Sequence, residues 1–123
     1  VNVDFQLADL KVYDWGATEY DVVAAIFIQF ADPAFRTEIF DGMERALKPG
    51  GVLMLHGYTP KQIEFGTGGP PVSELLYTRN MLAAQFAGWQ IIRLEEYEAE
   101  LQEGPGHSGK SALVDLIARR PQQ

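Results

Sequence analysis

The sequence contains no cysteine. Disulfides and thiolate-held metals are therefore excluded, and redox chemistry says nothing about the compartment. Basic residues are scarce: 10 Lys and Arg stand against 17 Asp and Glu, for a net charge of −7. Phosphate backbones are gripped by clustered Lys and Arg, so no nucleic acid is expected as a partner. No block of like charge is long enough to form an interaction tail. The longest apolar run, Val22–Ile28, is far short of the ~20 residues of a membrane-spanning helix. No secretory signal is visible either, so the expectation is a cytoplasmic chain with no membrane partner. The two histidines, His56 and His107, lie far apart with no metal-ligand spacing around them, and no metal site is expected.

What is present points to one domain over residues 1–123, with 46% apolar residues to build its core. The chain starts at Val1 rather than Met, which leaves open a processed product or a piece of a longer protein. Val3, Phe5 and Leu7 alternate with polar residues, so a short strand with one buried face is expected there. In "YDVVAAIFIQF" the continuous run Val22–Ile28 predicts a strand covered on both faces, as in a parallel sheet; a short buried helix competes. "ADPAFRTEIFDGMERALKPGG" predicts a helix. Asp32 caps it, Pro33 sits in its first turn, and Phe35, Ile39, Met43 and Leu47 form one apolar stripe. Arg45 and Lys48 suit the negative end of its dipole, Gly42 weakens its interior, and Pro49-Gly50-Gly51 stops it.

"VLMLHGY" predicts a second apolar strand over Val52–Tyr58, which completes a right-handed βαβ unit. "TPKQIEFGTGGPPVSE" reads as a long loop, a place where function often sits. Thr78 caps a helix from Arg79 to about Ala87, with Leu82 and Phe86 inward and Gly88 at its end. Two segments remain, "WQIIRLEEYEAEL" and "SALVDLIARR". Glu95, Glu96, Glu98 and Glu100 of the first suggest a solvated strand face rather than paired catalytic acids. The second fits strand and helix about equally on pattern alone.

Between them lies Gly104-x-x-x-x-Gly109-Lys110-Ser111, letter for letter a phosphate-binding loop. Its context disagrees. Such a loop needs an apolar strand before it and a helix starting at Lys-Ser, whereas the preceding segment here is acid-rich. A glycine-rich hairpin turn joining two antiparallel strands suits the surroundings better, and "SALVDLIARR" is then a strand. His56 stands at the carboxyl end of a strand, where α/β folds place ligands. The plain alternative is a histidine satisfied by a neighbouring loop.

Taken together, "VDFQLADL", "YDVVAAIFIQF", "ALKPGGVLML" and the terminal hairpin resemble the carboxyl-terminal two-thirds of a class I S-adenosylmethionine-dependent methyltransferase. "GYTPKQIEFGTGGPP" with "AGWQIIRLEE" is similar to the bacterial subgroup related to tellurite-resistance methyltransferases. The resemblance implies an α/β fold: a three-layer Rossmann-like sheet lacking its first strands and ending in an antiparallel β-hairpin. It also implies cofactor contacts from Asp9 at the adenine amino group, Leu10 against the ring, and Ala25, Ile26 and Phe27 along the methionine pocket. His56 and Tyr58 would face a small-molecule methyl acceptor, under the loop Tyr58–Pro71. Without the family, Asp9 is a turn residue and Ile26 and Phe27 are core.

One departure has consequences. The family's Gly-x-Gly loop and ribose-binding acid precede the segment that resembles "VDFQLADL", and no such loop follows a strand here. At ~1–3 kcal/mol per lost polar contact, S-adenosylmethionine should bind poorly or not at all. The strand at Val22 is also left with a bare edge, to be closed by a second copy of the chain or by "VDFQL" crossing over. Three functions follow: a partial methyltransferase, a non-catalytic homodimeric remnant, or a nucleotide-binding module using Gly104–Ser111.

Overall fold

A computed structural model describes residues 2–102 and 108–122. Strand β1 (Tyr20–Ile26) leads through helix α1 (Pro33–Ala46) into β2 (Leu47–Tyr58). A one-turn helix α2 (Gln62–Phe65) and helix α3 (Arg79–Gln85) follow. Strands β3 (Gln90–Gln102) and β4 (Ser108–Arg119) end the fold. The sheet order is β1-β2-β4-β3: β1 and β2 are parallel, and β4 runs antiparallel to both its neighbours. This is the expected Rossmann-like α/β sheet closed by an antiparallel hairpin.

Local chemistry explains α1. Asp32 accepts from the Phe35 N–H at 2.9 Å, Pro33 has no N–H to leave unpaired, and Ile39, Phe40 and Met43 turn into the core. The helix ends at Ala46, ahead of Pro49, whose ring in a continuing helix would clash with the carbonyl four residues back, that of Arg45. Lys48 therefore lies outside the last turn, and residues 47–51 run on into β2, where the register against β1 slips between Tyr20 and Val22. Gly42 has a packing role: a Cβ there would lie 2.4 Å from the Trp15 ring. Helix α3 is capped by Thr78, whose hydroxyl accepts from Met81 N–H at 3.0 Å. It stops at Gln85, earlier than the pattern suggested, with Phe86 buried just beyond it.

Two expectations are corrected. Val3–Leu7 is not a strand: residues 2–9 have no regular structure, and Phe5 and Leu7 are fully open to solvent. Alternation marks a possible strand, but a strand forms only beside a partner, and none lies along this segment among the described residues. Strand β1 is not covered on both faces. Val23 and Ala25 turn toward α1, while Val22 and Ile26 of the opposite face are 53% and 55% exposed. Helices α1 and α3 both pack on the same face, in one cluster with Leu53, Leu55, Val114, Leu116 and Ala118. The short-helix alternative for Val22–Ile28 is excluded by the parallel pairing with β2. No helix among the described residues is long and apolar enough to cross a membrane.

Candidate functional site

The register fixes what the open face of the sheet presents. Ala24, Met54, Ile117 and Arg93 form one row across the strands; Ile26, His56, Asp115 and Glu95 form the next; Tyr58, Leu113 and Tyr97 form a third, in which Tyr58 and Leu113 are buried. The second row lies at the carboxyl end of the parallel pair, where open α/β sheets place their ligands.

Phe27 closes that end of β1. It is a non-glycine residue at φ 53°, in the left-handed region. Its N–H donates to the His56 carbonyl at 2.8 Å. Its ring stacks on Tyr58 at 4.7 Å and meets the His56 ring edge-on at 4.8 Å. Just beyond, the buried Gln29 amide takes the place of a continuing strand. Gln29 Nε2 donates to the Tyr58 carbonyl at 2.8 Å, and Oε1 accepts from the Tyr58 N–H at 2.7 Å. Gly57 lies beneath, where a Cβ would approach Gln29 Oε1 to 2.8 Å.

His56 is part of a four-residue network. Asp115 Oδ1 lies 2.7 Å from His56 Nδ1 and accepts from the Tyr97 hydroxyl at 2.9 Å; Oδ2 accepts from Arg93 Nε at 3.0 Å. Burial works to raise the Asp115 pKa, but the bonds from His56, Tyr97 and Arg93 outweigh it and hold the carboxyl below its usual range. Burial, with the Asp115 charge beside it, pushes the Tyr97 phenol up to about 12. An ionised Asp115 accepts at both oxygens, so Nδ1 is the His56 donor and the proton of the neutral ring sits there. Next to the network lies a cavity of about 220 Å³, with Ile26, Met54, His56, Asp115 and Ile117 in its lining.

Sequence reasoning found His56 and missed Asp115, Arg93 and Tyr97. The available signal was a carboxylate inside the apolar run "ALVDLIA", since an acid is seldom placed there without a partner. Glu95, Glu96 and Glu98 are exposed but engaged. Glu96 Oε2 accepts from the Arg79 N–H at the start of α3, at 2.8 Å, and Glu95 pairs with Arg93 at 3.0 Å. Glu98 takes Lys61 at 2.5 Å and Lys110 at 3.2 Å, and these hydrogen bonds hold its pKa down.

The long loop after β2 is fastened by Gln62, which is buried. Its Oε1 accepts from the Ala112 N–H at 2.8 Å; its Nε2 donates to Thr67 Oγ1 at 2.9 Å and to the Gly68 carbonyl at 3.0 Å. Thr67 in turn donates to the Lys110 carbonyl at 2.6 Å. Gly69, at φ 80°, packs against the Tyr58 ring, where a Cβ would come within 2.7 Å.

Of the Gly104–Ser111 match, residues 104–107, with His107, lie outside the described residues. Gly109, Lys110 and Ser111 are strand residues of β4, paired with β3, so no helix starts at Lys-Ser. The Lys110 ammonium is held by Glu98 and lies over the Phe65 ring at 5.4 Å.

The sequence-expected cofactor residues are spread out. Ile26 and His56 line one cavity, and Phe27 and Tyr58 pack beside it. Ala25 faces the closed side, in the core. Leu10 lies along α1, lining a separate depression with Lys11, Tyr13, Trp15 and Glu38. Asp9 is exposed and caps its own turn, accepting from the Lys11 N–H at 3.0 Å. No three His, Asp or Glu side chains among the described residues group to hold a metal.

The parallel β1–α1–β2 unit, with a reversed hairpin added beside β2, decides the comparison with solved structures. The fold is that of the S-adenosylmethionine-dependent methyltransferases. A SAM-dependent methyltransferase from Methanosarcina mazei superposes with a TM-score of 0.72 at 16% identity, over 98% of this chain and 68% of that one. TehB from Haemophilus influenzae gives 0.74 at 17% identity, over 98% of this chain and 42% of that one. The N-methyltransferase NodS from Bradyrhizobium japonicum, in complex with S-adenosyl-L-homocysteine, gives 0.63 at 13% identity, over 93% of this chain and 52% of that one. The chain thus spans 42% to 68% of the length of these proteins. No family model matches the sequence, and no curated protein matches it significantly.

Of the residues that the sequence resemblance assigns to a cofactor, only Ile26 lines the cavity beside His56, with the Phe27 ring against His56. No glycine-rich turn leads from a strand into a helix among the described residues, and the Asp9 carboxylate is engaged in its own turn.

Proposed function

We propose that this chain is the carboxyl-terminal, acceptor-side part of an S-adenosylmethionine-dependent methyltransferase. The observation that carries this is the strand order β1-β2-β4-β3, with His56 at the carboxyl end of its parallel pair. When bound, the cofactor supplies an electrophilic methyl group. Ile26 and Phe27 would flank it and His56 would face a small-molecule acceptor; Asp9, held in its own turn, Leu10, along α1, and the buried Tyr58 would have to move to join them. Such a catalyst acts mainly by holding the two reactants in line. Alone, the chain binds the cofactor weakly, because the contacts of a glycine-rich loop are missing from the set. We expect it in the cytoplasm. A non-catalytic homodimer is the second reading, favoured by the unpaired outer edge of β1.

The experiment is a titration followed by backbone NMR, at known oligomeric mass, with S-adenosylhomocysteine and separately with Mg²⁺–ATP. Weak millimolar-range shifts from S-adenosylhomocysteine, confined to residues 9–10 and 25–30, are expected. No shifts there at saturating ligand would overturn the methyltransferase proposal and leave the homodimer. ATP binding that Lys110→Ala abolishes would replace both with the nucleotide-binding module.

A further inference from the structure

The cavity beside His56 has a polarity that selects its ligand. Ile26, Met54 and Ile117 give it apolar walls, and its volume of about 220 Å³ exceeds the ~150 Å³ in which an engineered apolar cavity holds benzene. Its acidic group is not available to a ligand. Both Asp115 oxygens are taken by His56, Tyr97 and Arg93, and Glu95 is paired with Arg93. A cationic amine would find no free carboxylate there. A carboxylate ligand would have to lie beside Asp115 and find Arg93 already engaged on it. The His56 ring, with its proton held on Nδ1 by Asp115, keeps its lone pair at Nε2, and the ring lines the cavity. The site therefore offers a single acceptor in an apolar setting.

We propose that this cavity is the methyl-acceptor pocket, that it takes a neutral, ring-sized molecule with one acidic hydroxyl, such as a phenol, and that His56 removes its proton. This rests on the methyltransferase proposal above. In the step, the acceptor's O–H bond breaks and an N–H bond forms at His56 Nε2. The electron pair stays on the oxygen, which becomes the nucleophile. Asp115 keeps its charge and stabilises the imidazolium, as an oriented carboxylate does in other His–Asp pairs. Tyr97 and Arg93 are positioning residues: they touch Asp115 and hold it in place.

The test needs no methyl transfer. The ¹⁵N-labelled chain is titrated with phenol and with toluene, which matches its ring but has no hydroxyl. His56 is expected in the Nδ1–H tautomer, with phenol moving its Nε2 resonance. Toluene is expected to bind about tenfold more weakly, the worth of one hydrogen bond. His56→Phe should bring the two ligands to equal affinity, and Asp115→Asn, which also accepts the Nδ1–H, should keep most of the preference. Equal binding of both ligands by the unaltered chain, or a ring protonated at Nε2, would overturn the assignment, and neither result depends on a variant folding. Failure here with S-adenosylhomocysteine shifts intact removes only the acceptor pocket. Failure of the S-adenosylhomocysteine titration removes the methyltransferase reading itself.

Discussion

Replacing Gln62 by Ala should damage this fold more than any exposed substitution. Gln62 is buried and holds the loop after β2 against β4 through the Ala112 N–H, the Thr67 hydroxyl and the Gly68 carbonyl. Truncation strands the Ala112 N–H in the interior, and an unpaired buried group costs ~1–3 kcal/mol. Gly68 is half-buried, so water can reach it and its loss falls at the low end of that range. Thr67 still has the Lys110 carbonyl to donate to. The missing methylene adds ~0.8 kcal/mol. Together these give about 3–4 kcal/mol, a large share of the ~5–15 kcal/mol that holds a domain folded. With a urea slope of ~1–3 kcal/mol per molar, the midpoint should fall by roughly 1–4 M. Tryptophan fluorescence in a urea series would read it. Gln62→Glu supplies a control with a sign. It keeps the acceptor for Ala112 but sets a buried carboxylate against the Gly68 carbonyl. Burial raises its pKa, so this variant should regain stability as pH falls and the carboxyl becomes a donor. A Gln62→Ala midpoint within ~0.5 kcal/mol of the unaltered chain, the range of ordinary surface changes, would refute the clip.

Gln29→Leu keeps volume but strips the Tyr58 backbone of its partner beyond β1, while the Tyr58 carbonyl retains Tyr77 N–H. A loss of ~2–3 kcal/mol is expected, a fall in Tm on the order of 10 °C by calorimetry. Gly69→Ala combines a left-handed φ of 80° with a 2.7 Å clash on Tyr58; about 1–3 kcal/mol should go in thermal melts, with the Tyr58 ring resonances displaced. Asp115 is depressed below its ordinary 3.8, so its contribution is present above that value and lost as pH falls through the lower folded one. Tyr97→Phe removes one of the bonds that depress it, and acid unfolding followed by circular dichroism between roughly pH 5 and pH 2 should move to higher pH.

What the sequence revealed and what it hid divide along one line. Helix α1 was legible because its signals are local: a cap at Asp32, a proline at Pro33, and an apolar stripe every fourth residue. The β3–β4 pair was legible because its two strands follow one another closely in the sequence. The His56 network was not, since His56 and Asp115 are 59 residues apart and meet only once β2 and β4 pair in register. Gln62 and Gln29 were passed over for the same reason. An amide in a loop looks like any solvated residue until the strand it serves is beside it. Val3–Leu7 failed in the opposite direction, as a correct local pattern with no neighbour to complete it.

The composition of β1 then says where further protein belongs. A strand with one solvated face alternates, yet Val22–Ile26 has no polar residue at all. At the sheet's other edge, β3 carries Glu95, Glu96, Glu98 and Glu100 and suits water. On β1 and β2, Val22, Ile26 and Met54 are 53%, 55% and 42% exposed, and β3 adds Ile91 and Ile92 at 41% and 50%. Pairing β1 edge to edge with a second copy would satisfy its free backbone groups but leave this face bare. Protein lying across the Val22 end of β1 would satisfy both and leave the cavity at the Ile26 end open to a ligand. The chain as it stands should accordingly bind the apolar dye anilinonaphthalene sulfonate, even where sedimentation shows a dimer. Ile26→Gln with Met54→Gln should abolish the dye signal without changing the mass. A dimer that excludes the dye would mean the second copy lies across the face itself, which would favour the homodimeric remnant over the partial enzyme.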